Sequence, residues 1–179
     1  MNRPLVRPAR PDDAAALADL YNHYVANTAI TFDVAPVSVE DRHAWIAGFA
    51  EEGRYRLRVV EEGGAVLGWA CSRRFRDRAA YDPSIEVSVY LHSEAGGRGL
   101  GSLLYRELFA ALAGEDIHRA YAGITLPNAA SVAIHRRFGF EACGLMREVG
   151  RKFDRWWDVQ WMEKRWGDGS APPHAAAPG

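Results

Sequence analysis

Residues 85–112 constrain the fold more than any other stretch of the chain. Ile85, Val87, Val89 and Leu91 alternate with Glu86, Ser88 and Tyr90, the period-two pattern of a strand whose faces meet different surroundings. Then comes Gly96-Gly97-Arg98-Gly99-Leu100-Gly101, and from it Leu100, Leu103, Leu104, Leu108, Ala111 and Leu112 recur at helical spacing. A strand that runs through a glycine loop into a helix makes an anion site. The first helical turn presents N–H groups without intrahelical partners at the positive end of the dipole, and glycine lets a phosphate approach the backbone. The loop lacks the Lys-Ser/Thr ending of a P-loop, and Gly97-x-Gly99-x-Gly101 is not the dinucleotide spacing. Alone, it is either a phosphate cradle or a glycine turn with no ligand.

Around this unit the chain reads as a sheet with helices. Leu5-Val6 starts a strand, Pro11-Asp12-Asp13 offers capping carboxylates, and Ala14, Leu17, Leu20/Tyr21 and Tyr24/Val25 follow at helical spacing. After Pro36, Ser38 and Asp41 resemble a capping box for a helix carrying Trp45, Ile46 and Phe49, which Gly53 can end. Tyr55, Leu57 and Val59 alternate with arginines, predicting a strand with one buried face. Glu61-Glu62-Gly63-Gly64 turns it into a second strand, Ala65 to Cys71, as a hairpin. Ala120 to Leu126 predicts another strand, and Asn128 caps a short helix with Val132, Ile134 and Phe138 inside and Gly139 at its end. Phe140 to Val149 and Trp156 to Trp166 predict the last strands. The fold class is mixed α/β, a central sheet flanked by helices. One domain spans residues 1–166, and the Gly-, Ala- and Pro-rich tail, 167–179, has too little to bury and is expected to be disordered.

The charge balance bounds the partners. With 22 basic against 23 acidic residues and a net charge of -1, no cationic excess is available for nucleic acid or an anionic membrane. Small molecules are the expected partners. The start, Met1-Asn2-Arg3-Pro4, lacks the apolar core of a secretory signal, so the expected location is the cytoplasm. Cys71 and Cys143 stand far apart without metal-ligand spacing, which predicts no metal site and reduced thiols in or near the core.

Three segments in one order give the glycine loop a context: Glu86-Val87-Ser88-Val89-Tyr90-Leu91, then Gly97 to Ser102, then Asn128-Ala129-Ala130-Ser131-Val132-Ala133-Ile134-His135 with Gly139-Phe140. Together they resemble the cofactor motifs of GNAT N-acetyltransferases. Tyr21-Asn22-His23-Tyr24, Val149-Gly150-Arg151-Lys152 and Trp157-Asp158-Val159 extend the likeness to the phosphinothricin and methionine sulfoximine acetyltransferase subgroup. The resemblance implies a mixed, mostly antiparallel sheet with a V-shaped splay between two strands, a homodimer, and acetyl-CoA as cosubstrate. In that scheme Val89, Tyr90 and Leu91 meet the pantetheine arm, and Gly97, Arg98, Gly99, Leu100, Gly101 and Ser102 hold the diphosphate. Asn128 and Ser131 contact the cofactor further along. Gly96 stands where the family usually has Gln or Arg, a loss that Arg98 is placed to offset.

Acetyl transfer needs a neutral amine, so a base must accept its proton. In the resembling subgroup Glu86 is that base, and His135 either donates a proton to the departing thiolate or only hydrogen-bonds its surroundings. For the acceptor, the resemblance points to Arg76, Arg78 and Tyr81 in a substrate loop, to Ile30, Thr31 and Phe32 on the far side, and to Ser88 beside Glu86. Guanidinium forks suit a carboxylate or phosphinyl oxygen, and a basic surface loop remains the alternative. Asp82 replaces a residue that is often basic in related sequences. Trp156, Trp157, Trp161 and Trp166 are expected in core and subunit-interface packing. Two other activities stay open: transfer to protein or peptide amines, and acyl-CoA binding without catalysis.

Overall fold

The computed structural model describes residues 3–166, and the tail at 167–179 lies outside them. Along the chain run β1 (Leu5–Pro8), α1 (Ala14–Asn27), α2 (Val39–Ile46), β2 (Leu57–Glu62), β3 (Ala65–Arg74), β4 (Ser84–Leu91), α3 (Leu100–Ala111), β5 (Arg119–Thr125), α4 (Ala129–Arg137), β6 (Glu141–Lys152) and β7 (Arg155–Arg165). The strands form one sheet in the order β1-β2-β3-β4-β5-β7-β6. Every neighbouring pair is antiparallel except β4 and β5.

That parallel pair is short. Ser84, Ile85 and Glu86 align with Arg119, Ala120 and Tyr121, and pairing then stops, so the remainder of the two strands bounds an opening in the sheet. Side-chain alternation sends Ile85 and Val87 to the face covered by α3, where they join Leu104, Tyr105, Leu108, Ala120 and Ala122 in one core. The opposite face of β2, β3 and β4 carries a second core in which Leu17, Leu20 and Ile46 of α1 and α2 meet Val59, Trp69 and Cys71. Two layers of helix therefore cover a single sheet.

Several local expectations change. Val59 and Val60 are both fully buried, so β2 has two buried faces: α3 and the α1/α2 pair each cover one side. The Asp13 carboxylate does not cap α1. It accepts the Arg10 N–H at 2.6 Å and pairs with Arg7 at 2.8 Å, because a 3-10 turn at Pro11–Asp13 points it backwards. The Ser38/Asp41 capping box forms in full, but α2 ends at Ile46, well before Gly53. The strand expected to end at Val149 continues as β6 to Lys152, through register shifts at Ala142/Gly144 and Met146/Gly150. Cys143 sits at the first shift and is exposed, whereas Cys71 is buried.

Candidate active site

The glycine loop meets the opening of the sheet. Gly97 and Gly99 take φ of 74° and 77°, a left-handed conformation that side chains disfavour. Gly99 is the N-cap of α3, and the first helical hydrogen bond runs from the Leu103 N–H to the Gly99 carbonyl at 3.0 Å. The N–H groups of Leu100, Gly101 and Ser102 thus precede the helical ladder. A Cβ on Gly101 would come 3.0 Å from Ile134 Cδ1, so this glycine lets α4 approach the first turn of α3. These residues, with Val89 to Leu91, Asn128 and Ser131, line a cleft of about 460 Å³.

Register decides which backbone groups of β4 face it. The His92 N–H donates to the Leu67 carbonyl at 2.8 Å, and hydrogen-bonded pairs alternate along an antiparallel ladder. In the β3/β4 register Tyr90, Ser88 and Glu86 are then bonded to β3, and Val89 and Leu91 turn their amides towards the opening. Tyr24 Oη donates to the Leu91 carbonyl at 2.6 Å, which leaves the Leu91 N–H on the open side. Tyr90 borders the cleft, but its backbone groups are bonded to β3. Arg98 does not replace the side chain missing at Gly96: its guanidinium is held by both Glu62 oxygens, at 2.8 and 2.9 Å.

A narrower space between β4 and β5 is lined by Ile30, Ser88, Val89, Thr125, Asn128 and His135, among others. Asn128 caps α4 by accepting the Ser131 N–H at 3.1 Å. The helix buries His135 rather than the expected Val132, Ile134 and Phe138, which are half-buried. His135 Nδ1 lies 2.7 Å from the Ser131 carbonyl, which can only accept, so Nδ1 carries the proton. Nε2 then accepts from Tyr105 Oη at 2.8 Å. Burial disfavours the charged ring and lowers its pKa, against the opposing Ser131 carbonyl. A departing thiolate would find no unshared ring proton here.

On the other face of β4, Glu86 accepts a hydrogen bond from Arg73 at 2.9 Å. Ser88 and Tyr90 line a further cavity of about 280 Å³, between α1, α2 and the sheet, together with Arg73. Burial raises the Tyr90 hydroxyl pKa and pushes the Cys71 thiol up to about 12, so neither is a resident anion. Arg76, Arg78 and Tyr81 line none of these three spaces. Arg76 lies 4.6 Å above the Phe75 ring, Tyr81 packs edge-on against Phe75, and Phe75 stacks on Tyr121, the strand partner of Glu86. Asp82 pairs with Arg74 at 3.5 Å. Ile30 borders both the cleft and the narrow space. Phe32 instead fills the place of a side chain at Gly150, whose Cβ would lie 2.2 Å from the ring.

Arg73 and Tyr105 are absent from the sequence-derived set. The hairpin register, which pairs Arg73 with Glu86, was the available signal for the first. Tyr105 reads only as an apolar helix position. The tryptophans divide: Trp161 covers Gly123, Trp166 packs on Phe109, Trp157 Nε1 donates to the Lys152 carbonyl, and Trp156 is 56% exposed. Among the described residues no group of three or more His, Cys, Asp or Glu is placed to hold a metal ion.

The sequence matches the family model of the acetyltransferase (GNAT) domain over residues 6–161. It is 54% identical over 161 residues to the phosphinothricin N-acetyltransferase of Streptomyces coelicolor, covering 89% of this chain and 94% of that protein. The L-methionine sulfoximine/L-methionine sulfone acetyltransferase of Pseudomonas aeruginosa is 35% identical over 158 residues, covering 88% and 92%. Among solved structures, a GNAT superfamily phosphinothricin acetyltransferase from Sinorhizobium meliloti in complex with AcCoA superposes with a TM-score of 0.87 at 32% identity, covering 98% of this chain and 96% of that one.

Proposed function

The chain belongs to the GNAT acetyltransferase family, and from that premise we propose that it moves the acetyl group of acetyl-CoA to the amine of a small amino-acid-like acceptor, of the phosphinothricin and methionine sulfoximine type, by direct attack in a ternary complex. One observation carries the reading: the pairing of β4 and β5 ends at Glu86, so the free amides of Val89 and Leu91 and the open N-terminus of α3 face one cleft. That cleft suits acetyl-CoA, since a glycine backbone at positive φ and unpaired helical N–H groups accept a diphosphate.

When bound, acetyl-CoA supplies an electrophilic thioester carbonyl. The Leu91 N–H is positioned to hold an oxygen that gains charge during attack. Glu86 accepts the amine's proton, directly or through a water, at the carboxylate whose other contact is Arg73. His135 holds Ser131 and Tyr105 in place along the α4 wall, and solvent protonates the thiolate.

The same reading makes the enzyme a cytoplasmic homodimer. No helix among the described residues is long and apolar enough to cross a membrane. β6 is an edge strand of the sheet with almost every residue exposed. Leu145, Met146 and Val149 on it and Phe153 and Trp156 beyond it form an apolar border that a second copy would cover.

A thiol-release assay with acetyl-CoA and a panel of amines, amino acids, sulfoximines and peptides tests the activity. Turnover with phosphinothricin or methionine sulfoximine is expected. Far higher efficiency with a peptide N-terminus or lysine would overturn the small-molecule reading.

A further inference from the structure

Two sequence motifs that the proposed reaction leaves unused, one near each end of the chain, grip the same loop. Residues 28–38 join α1 to α2 without regular structure. From α1, Asn22 holds Val37 twice, donating to its carbonyl and accepting its N–H, each at 2.9 Å. Tyr21 Oη lies 2.8 Å from the Asp33 carboxylate and 2.7 Å from Thr31 Oγ1. A carboxylate only accepts, so the tyrosine proton goes to Asp33 and the Thr31 hydroxyl donates to Tyr21. From the other end of the chain, Lys152 is 5% exposed and its Nζ donates to the Thr31 carbonyl at 2.8 Å. No carboxylate among the described residues lies within ion-pair distance of Nζ, so the loop backbone is its partner. Gly150 leaves the space that the Phe32 ring fills, and a Cβ there would overlap the ring. Both residues stand on the β6/β7 ladder, where Gly150 pairs with Trp157 and Lys152 with Arg155, and Trp157 Nε1 donates to the Lys152 carbonyl.

What this grip positions is Ile30. It is 40% exposed and borders both the cofactor cleft and the narrow space between β4 and β5. Every other residue that lines the narrow space belongs to β4, to β5, or to α4 and its Asn128 cap. Ile30 alone hangs on a loop. The space is about 40 Å³, room for a group of roughly a water's size, ~30 Å³. The methyl of an acetyl group is such a group, and a butyryl chain brings two more carbons.

We propose that Ile30 is the stop that limits acyl-chain length, and that Gly150 and Lys152 are the positioning residues that hold it in place, so that the cosubstrate is acetyl-CoA in preference to longer acyl-CoAs. This rests on the acetyltransferase reading, in which the thioester carbonyl meets the Leu91 N–H and the acyl chain enters the space beyond Val89. It takes Ile30 from the acceptor wall to the acyl end of the site.

Calorimetric titration of the full chain with acetyl-CoA and with butyryl-CoA, in the absence of acceptor, reads the stop as a ratio of dissociation constants. Wild type should bind acetyl-CoA more tightly by roughly 10- to 100-fold, the range in which an apolar site separates ligands that differ by a methylene. Ile30→Ala should lower that ratio about tenfold. Gly150→Ala, which drives the Phe32 ring from its place, and Lys152→Met, which keeps the length and removes the donor, should each lower it roughly 3- to 10-fold. In the Ile30→Ala background neither should lower it further, because residues that act through Ile30 then have nothing to position. A merely structural glycine or lysine would lower the melting temperature and leave the ratio alone.

A ratio within about twofold of wild type in Ile30→Ala overturns the stop, as does equal binding of the two thioesters by wild type. An unchanged ratio in both Gly150→Ala and Lys152→Met, or a full further fall in the Ile30→Ala background, overturns their positioning role. Should Gly150→Ala fail to fold, Lys152→Met decides by the same criterion. Because the ratio needs no turnover, an Ile30-dependent ratio with no acetylation of any acceptor sinks the acetyltransferase reading and spares the stop. Acetylation with an Ile30-independent ratio does the reverse, and failure to bind either thioester sinks both.

Discussion

Replacing Gly99 by alanine tests the cradle through backbone conformation alone. At φ 77° the added methyl meets nothing within 4 Å, so the cost is the left-handed backbone itself, about 1–2 kcal/mol for an L-residue. Gly114 supplies a matched control: its φ is 89°, its Cβ direction is equally empty, and it follows α3 at the end away from the cleft. In a chain of this size about 1 kcal/mol moves Tm by ~2–4 °C, so an alanine variant that keeps the left-handed backbone should melt about 2–8 °C lower without ligand. With acetyl-CoA at about 100 times its wild-type Kd, linkage contributes ~2.7 kcal/mol, or roughly 5–11 °C. The strain is paid once, so if alanine relaxes the loop in the free protein and binding must restore it, Gly99→Ala should keep an apo Tm near wild type and lose roughly 5–30-fold in affinity and about half of that shift. Gly114→Ala should keep it all. Differential scanning fluorimetry across an acetyl-CoA series measures both quantities. A wild-type apo Tm together with an undiminished shift in Gly99→Ala and in Gly99→Val would refute the assignment of the diphosphate to this loop.

Other measurements address the proton path, the buried histidine and the exposed edge. Glu86→Gln should lower kcat/KM by ~10²- to 10⁴-fold with acetyl-CoA binding nearly unchanged, and higher pH should partly rescue it by delivering free amine; full activity across the pH range would remove Glu86 from the mechanism. Because burial lowers the His135 pKa in the folded state, protonation favours the unfolded chain. This contribution is complete above about pH 6.5 and is lost as pH falls towards the folded-state value, with a slope up to ~1.4 kcal/mol per pH unit. Denaturant melts of His135→Gln should show a flatter pH dependence below that point, and parallel curves would contradict it. Trp156→Glu, at an exposed position beside β6, should shift the protein to a monomer in sedimentation; an unchanged dimer would place the interface elsewhere.

Period-two alternation at Ile85 to Leu91 and the loop at Gly96 to Gly101 made the centre of the fold legible, because both patterns follow from local backbone requirements. The capping box at Ser38 and the N-cap at Asn128 were legible for the same reason. What escaped depends on contacts between distant segments. Asp13 looks like a cap until Arg7 and the 3-10 turn redirect it. Arg98 looks available until the β2/β3 turn brings Glu62 to it. His135 reads in sequence as either a proton donor or a residue that only hydrogen-bonds its surroundings, and Tyr105, on a different helix, decides by taking its second nitrogen. Arg42 belongs to no motif of the sequence, and only the packing of Tyr21 and Trp45 around it reveals a buried cation.

The short parallel contact between β4 and β5 has a mechanical consequence. Beyond Glu86 and Tyr121 no ladder bonds tie the two strands together, so the width of the gap is set by what wedges behind it. Behind the sheet, Ala70, Ala120 and Ala122 share one core with Leu104 and Leu108 of α3. Methyl-sized shims fix an aperture that backbone geometry leaves adjustable. A change of one alanine behind the sheet, remote from every polar group of the site, would therefore re-gauge the slot through which an acyl chain must pass.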